Sequence, residues 1–436
     1  MRNGVDVAGA DQREPVPDSG PVKARRRALP RFSARVLESP LYRRIWFSGI
    51  IYYSARWVEI ITSGWIVLAL TGSPLLVGLT GFFRMLPMLV LGSLFGALAD
   101  RFTRINILIG IHAASLLAAL ILAVTFLLGS DSLALVYPMI FVLGCGTAAD
   151  FSARSALIDE VQDRSLLANT MSLESLSMSV AKITSAILGG FLLSAGGAGL
   201  AYGYLALLYG IGLVWLGSLK RLLPARDIHP GTGSLRIISS LHGGWASALR
   251  LPVVRGVFFV TIIINVLIFP YQQLISIVAS DILAVGPFWM GMLAGADGVG
   301  GALTAAWLTF GSRSRRQGAL FIGGATGAAA LLIALALSSV FALSLLIQLA
   351  LGVCTGLFGA HQAALVLSAT PAESRARALG LIATAIGLTP IGMLLIGGLS
   401  SVAGAQVAIA TMAALGLIGL LLVMIFNPQL RAARVG

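Results

Sequence analysis

From Tyr42 to the last ten residues, apolar stretches of about 20 residues follow one another almost without interruption. Each can cross roughly 30 Å of hydrocarbon as a helix. Twelve such stretches are read, approximately 44–71, 74–98, 105–129, 133–157, 167–195, 198–219, 254–283, 287–311, 317–338, 341–367, 378–401 and 403–426. The fold class expected is an all-α membrane protein of twelve transmembrane helices. The one long connection, 220–253 with Pro224 and Pro230, divides it into two six-helix bundles. The domains expected are a basic disordered tail (1–42), an N-terminal bundle (43–219), a linker (220–253), a C-terminal bundle (254–427) and a short tail (428–436).

The positions of charge then give an orientation. Arg56, Arg84 and Lys182 fall deep inside spans, and every other Lys or Arg lies in the amino tail, the even-numbered connections, the carboxyl tail or, for Arg44, Arg154 and Arg255, within four residues of the span end that adjoins one of these. By the positive-inside rule these segments are cytoplasmic, as are both termini. The expected location is the inner (cytoplasmic) membrane. A net charge of +13 is therefore a topology signal that meets anionic lipid on one face, and nucleic acid is not expected as a partner. A mean hydropathy of +0.93 with 11% charged residues excludes a soluble domain. Residues 1 to 40 hold eight basic residues and no apolar run, so they do not read as a signal peptide. Cys145 and Cys354 both lie in apolar spans and read as small buried hydrophobes.

The two halves echo one another, as inverted or parallel repeats do in transporters. Pro74 and Gly78 are matched by Pro287 and Gly291, an offset of 213 residues, and Cys145 is matched by Cys354. Gly189, Gly190 and Gly196 are matched by Gly397, Gly398 and Gly404.

Between the second and third spans stands GALADRFTR, Gly96 to Arg104. A connection this short makes a tight turn, with Asp100, Arg101 and Arg104 at the water boundary. This segment resembles the signature of the major facilitator superfamily, Gly-x-x-x-Asp-Arg-x-Gly-Arg-basic, and departs from it at Thr103 and Ile105. The resemblance implies that Asp100 locks a cytoplasmic gate against the amino end of the eleventh span and a nearby arginine, for which Arg154 is the candidate. A helix amino end does attract a carboxylate. LTGSPLLVGL (70–79), ARSALIDEV (153–161), HGGWASALRLPVVRG (242–256) and ESRARALGLIATAIGLTPIGMLLIGGL (373–399) are most similar to the branch holding enterobactin-type siderophore exporters and bacterial multidrug proton antiporters. Exporters of this kind often carry Gly-Pro-x-x-Gly-Gly in the fifth span. Ser185 to Gly190 keeps half of it, while the eleventh span keeps Pro390 and Gly392. Export is the preferred direction.

Charges inside the bilayer are the sharpest functional signal, since each costs roughly 2.5–3.5 kcal/mol on insertion scales. Arg84 and Asp297 lie ten residues beyond Pro74 and Pro287, about 15 Å of helix rise, which puts both near the midplane at equivalent positions. Arg56 and Glu59, three apart, are expected to pair on one face. Asp297, with no cation on its own turn, is the first candidate for proton coupling, with Glu59 and His361 in reserve. Arg56, Arg84, Lys182, Tyr271, Gln272 and Gln273 are the candidate substrate-binding residues. Three cations against two anions favour an anionic or catecholate-bearing ligand, and Tyr271 to Gln273 supply an aromatic surface and donors. His112 reads as a packing residue.

The reading is a monomeric secondary transporter that moves a small amphipathic molecule, siderophore-like in chemistry, outward in exchange for protons. A broad multidrug or antibiotic exporter and a non-transporting sensor or scaffold of the same fold are the alternatives. HExxH, Walker and Gly-x-Ser-x-Gly motifs are absent from the sequence, so neither an enzyme nor a cofactor is expected.

Overall fold

A computed structural model of the chain describes residues 34–130, 132–162, 166–222, 249–310, 316–371 and 374–433. Of the expected domains, most of the amino tail, most of the 220–253 linker and the last three residues lie outside these. The described residues form helices and no strands. In chain order the spans are α1 (Pro40–Thr71), α2 (Pro74–Arg101), α3 (Arg104–Leu127) and α4 (Leu133–Val161). The run Leu167–Lys220 holds two, α5 and α6, which meet at Gly196 and Gly197. Then come α7 (Pro252–Ile282), α8 (Pro287–Phe310), α9 (Gln317–Ala336), α10 (Phe341–Ala369), α11 (Arg375–Gly387 and Thr389–Ala403) and α12 (Ala405–Phe426). A short α13 (Pro428–Ala432) closes the described chain.

Nine helical stretches among the described residues are long and apolar enough to cross a bilayer, counting the α5–α6 run once. That run of 54 residues rises about 81 Å if straight, far more than one crossing. Gly197, at φ +67°, supplies the left-handed backbone that reverses it. In the other half Gly404, at φ +83°, makes the same join between α11 and α12. α1 and α8 have spanning length but fall outside the nine, α1 carrying Arg56 and Glu59 and α8 carrying Asp297.

Local chemistry sets the boundaries. α1 starts at Pro40 rather than near residue 44, because Ser39 Oγ accepts from the Tyr42 amide (3.2 Å) and Pro40 has no amide proton to leave unpaired. α7 is not the uniform helix expected for 254–283. A wide turn at Ile264–Ile268 is followed by a tight one at Phe269–Leu274, centred on Pro270, whose missing N–H breaks the hydrogen-bond ladder. α11 breaks beside it at Leu388, where Thr389 Oγ1 donates to Asn265 Oδ1 (3.0 Å). Gly392 fits into the bend, since a Cβ there would lie 2.5 Å from Pro270 Cγ.

The halves meet along α5 with α8 and α2 with α11. At the end of the bundle away from the amino terminus these contacts are backbone to backbone. A Cβ at Gly78 would lie 2.8 Å from Gly397 Cα and from Met393 O. Methyl groups at Gly190 or Gly291 would run into the carbonyls of Pro287 and Ala186. Small residues that let membrane helices touch are the expected device where lipid offers no hydrophobic drive between them. His112 packs between Tyr52 and Tyr209 with its Nδ1 2.9 Å from Leu108 O.

Candidate functional site

Four of the five intramembrane charges form two buried ion pairs. Arg84 on α2 faces Glu59 on α1 in a bidentate fork, Nε to Oε2 and Nη2 to Oε1, both 2.8 Å. Its remaining donors reach Ser63 Oγ (2.6 Å) and, from the other half, Gln273 Oε1 (3.3 Å). The Gln273 amide in turn donates to Thr80 Oγ1 (2.5 Å). Glu59 therefore does not pair with Arg56 as the i, i+3 spacing implied: Arg84 from the neighbouring helix offers two parallel donors, which a stereochemically matched carboxylate takes first. Four of the five Arg84 N–H groups are thus engaged within the protein. Gln273 likewise serves this network.

Asp297 on α8 does have a cation. Lys182 on α5 crosses the boundary between the halves to its Oδ2, and the ammonium also lies 4.6 Å from the centre of the Trp57 ring. Asp297 Oδ1 is buried and has no hydrogen-bond donor among the described residues. The pair lines a narrow cleft between the halves, with Trp57, Ile60, Tyr271, Gln272 and Gln348 in its wall. Tyr271 Oη donates to Gln348 Oε1 (2.9 Å). The structure thus gathers Lys182, Asp297, Tyr271 and Gln272 in one place.

Arg56 lies one turn from Ile60 on α1, toward the amino-terminal end. No carboxylate pairs with it among the described residues, and its Nε is buried without an acceptor. His361 on α10 is not in this cavity wall; its Nδ1 lies 2.8 Å from Leu357 O one turn back.

Of the expected gate, the side chains of Gly96, Asp100 and Arg101 lie outside the described residues. Arg104 bonds Ala156 O (2.8 Å) and pairs with Glu160 on α4. Arg154 is held by Asp150 one turn back on α4, Nε to Oδ2 at 3.0 Å and Nη2 to Oδ1 at 2.6 Å. Its Nη1 donates to Ser48 Oγ (2.9 Å) and Ile45 O (3.1 Å) on α1. Asp150 was not among the expected site residues, although its i, i+4 spacing to Arg154 is plain in the sequence. Nor was Glu174, which accepts from Tyr53 Oη (2.9 Å) and Tyr42 Oη (3.3 Å).

Apolar spanning helices with no strand among the described residues, packed with buried ion pairs between them, make this an all-α membrane protein of the major facilitator fold. The family described as transmembrane secretion effector, a branch of that superfamily, matches residues 33–434, and the chain belongs to it. No curated protein matches the sequence significantly. Solved structures share the fold at low identity. A peptide transporter POT in complex with sulfate superposes with TM-score 0.70 and 11% identity, over 90% of this chain and 95% of that one. The nucleoside transporter NupG gives 0.67 and 11%, over 88% and 98%. A bacterial homologue of the human lysosomal transporter Spinster, in an inward-facing and unoccupied conformation, gives 0.61 and 12%, over 90% and 96%.

Proposed function

We propose that this secondary transporter exports a small amphipathic molecule in exchange for protons, by alternating access across the inner membrane with both termini in the cytoplasm. The observation that carries the reading is Asp297. One carboxylate oxygen is held by Lys182 while the other stands unpaired at the cavity. A proton and a ligand N–H or O–H group compete for that oxygen, so each displaces the other, which is the logic of exchange. Protonation also loosens Lys182, which has the Trp57 face as an alternative partner. Because this pair spans α5 and α8, its charge state bears on how tightly the halves hold together.

The ligand's anionic group is assigned to Arg56, in place of Arg84, which already carries the Glu59 counter-charge. A catecholate or carboxylate with an aromatic body, as in siderophores, suits Arg56 together with Trp57, Tyr271 and Gln272. Family membership among secretion effectors supports the outward direction, and basic residues at one end of the bundle support the orientation and a contact with anionic lipid. The protein is proposed to act as a monomer. Arg56→Gln tests the ligand's sign. It removes a charge-assisted hydrogen bond of roughly 1.5–3 kcal/mol, so binding of dihydroxybenzoate should weaken about 10- to 100-fold while a neutral catechol is little affected. Equal weakening of both would favour a broad multidrug cavity instead.

A further inference from the structure

Four carboxylates are buried within the spanning helices among the described residues: Glu59, Asp150, Glu174 and Asp297. Three are neutralised one to one, by Arg84, Arg154 and Lys182. Glu174 has no cation of its own at ion-pair distance among the described residues. Its carboxylate is met by two tyrosine hydroxyls from α1, Tyr53 Oη at Oε2 and Tyr42 Oη at Oε1.

The nearest cation to serve it is Arg154, which is already committed. Arg154 and Glu174 converge on the backbone of Gly49, where a Cβ would lie 3.2 Å from Arg154 Nη1 and 3.5 Å from Glu174 Oε2. Yet the guanidinium forks onto Asp150 and spends Nη1 on Ser48 and Ile45. Two acids thus share one guanidinium in a cluster 3% to 7% exposed. With both acids ionised the cluster carries one uncompensated negative charge, which burial strongly disfavours. One proton removes it. Burial and a neighbouring like charge both favour that outcome, and the tyrosines serve either state, since a phenol hydroxyl donates to a carboxylate or accepts from a carboxylic acid. The groups facing Glu174 are Tyr42 and Tyr53 on α1 and Asp150 and Arg154 on α4. Lys182 lies eight residues further along α5, about 12 Å away.

We propose that Glu174 is a proton-binding site, distinct from the Asp297–Lys182 pair and two helical turns nearer the amino-terminal end of the bundle. In the conformation described it holds a proton within the Asp150–Arg154–Glu174 cluster. This assignment stands whether or not Asp297 couples transport, and its test needs no transported ligand.

The test is pH-difference infrared spectroscopy of the full chain in lipid nanodiscs, read in the carbonyl-stretch region of protonated carboxylic acids. The wild type should show a buried-carboxyl band at neutral pH that is lost on alkalinisation. Glu174→Gln, which keeps an oxygen for the tyrosines to bond, should lack it, while Asp297→Asn should keep it. Tyr53→Phe should keep the band but shift its frequency, because a hydrogen bond to that carboxyl is lost. An unchanged band in Glu174→Gln would overturn the proposal. If that variant does not fold, an unshifted band in Tyr53→Phe overturns it equally.

Discussion

Replacing Gly291 by alanine should open the end of the bundle that α5 and α8 now seal. The added methyl would lie 3.1 Å from the Ala186 carbonyl carbon and 3.2 Å from Ile187 Cα, and would collide with the Ala186 oxygen itself. Carbon atoms rest comfortably at about 3.5–4.0 Å, so the two helices must part by about 1 Å at this level. Neither side can yield by rotating a side chain, because the obstacle is backbone. Overpacking of this kind costs about 1–3 kcal/mol. That cost falls on the conformation sealed at this end and is absent once the halves separate, which raises the ratio of open to sealed molecules about 5- to 160-fold. Spin labels at Ala195→Cys on α5 and Ala284→Cys before α8, both exposed, report the separation by pulsed electron paramagnetic resonance after Cys145 and Cys354 are replaced. Gly291→Ala should add a longer-distance population. Gly110→Ala, where a methyl meets nothing within 4 Å, should not. A distance distribution unchanged by Gly291→Ala would refute the argument that this glycine contact holds the seal.

The buried fork between Arg84 and Glu59 gives a second expectation. Glu59→Gln leaves Arg84 buried without its counter-charge and should lower stability by about 3–5 kcal/mol, whereas Glu59→Gln/Arg84→Gln should recover most of the loss, measured by thermal unfolding in detergent. Additive losses would show that the two do not act as a unit. Topology gives a third. With native cysteines removed, cysteines at Ser73, Ser132 or Ser339 should react with an impermeant thiol reagent from outside the cell, and one at Arg221 only from the cytoplasmic side. Labelling of both sets from one side would contradict twelve crossings.

The spans were legible because hydrocarbon thickness sets a length that sequence alone displays, whereas the joins were not: the turn glycine of the first half is Gly197 and not the Gly196 that the repeat matched to Gly404, since only the backbone conformation tells neighbouring glycines apart. The paired prolines 74 and 287 each head a helix as their common offset implied. What the sequence does not display is which helix stands beside which. Arg56 and Glu59 are neighbours along α1, yet Glu59 turns to Arg84 on α2, and Asp297 finds Lys182 on α5, because tertiary packing brings a better-shaped or nearer charge than local spacing does. Glu174 went unread because it sits in the polar opening of α5, ANTMSLESL, where an acid looks like a solvated helix start. Only α1, with Tyr42 and Tyr53, makes it a buried one. Gln348, a single amide in an apolar run, acquires meaning only from Tyr271 across the cavity.

The exchange reading is tested most directly by proton movement in proteoliposomes loaded with dihydroxybenzoate, comparing the wild type with Asp297→Asn. Proton release coupled to ligand movement should occur in the wild type. Asp297→Asn should still exchange labelled for unlabelled ligand across the bilayer, because the cavity is intact, but should neither move protons with it nor accumulate ligand against a proton gradient. Undiminished proton-driven accumulation in Asp297→Asn would contradict the account.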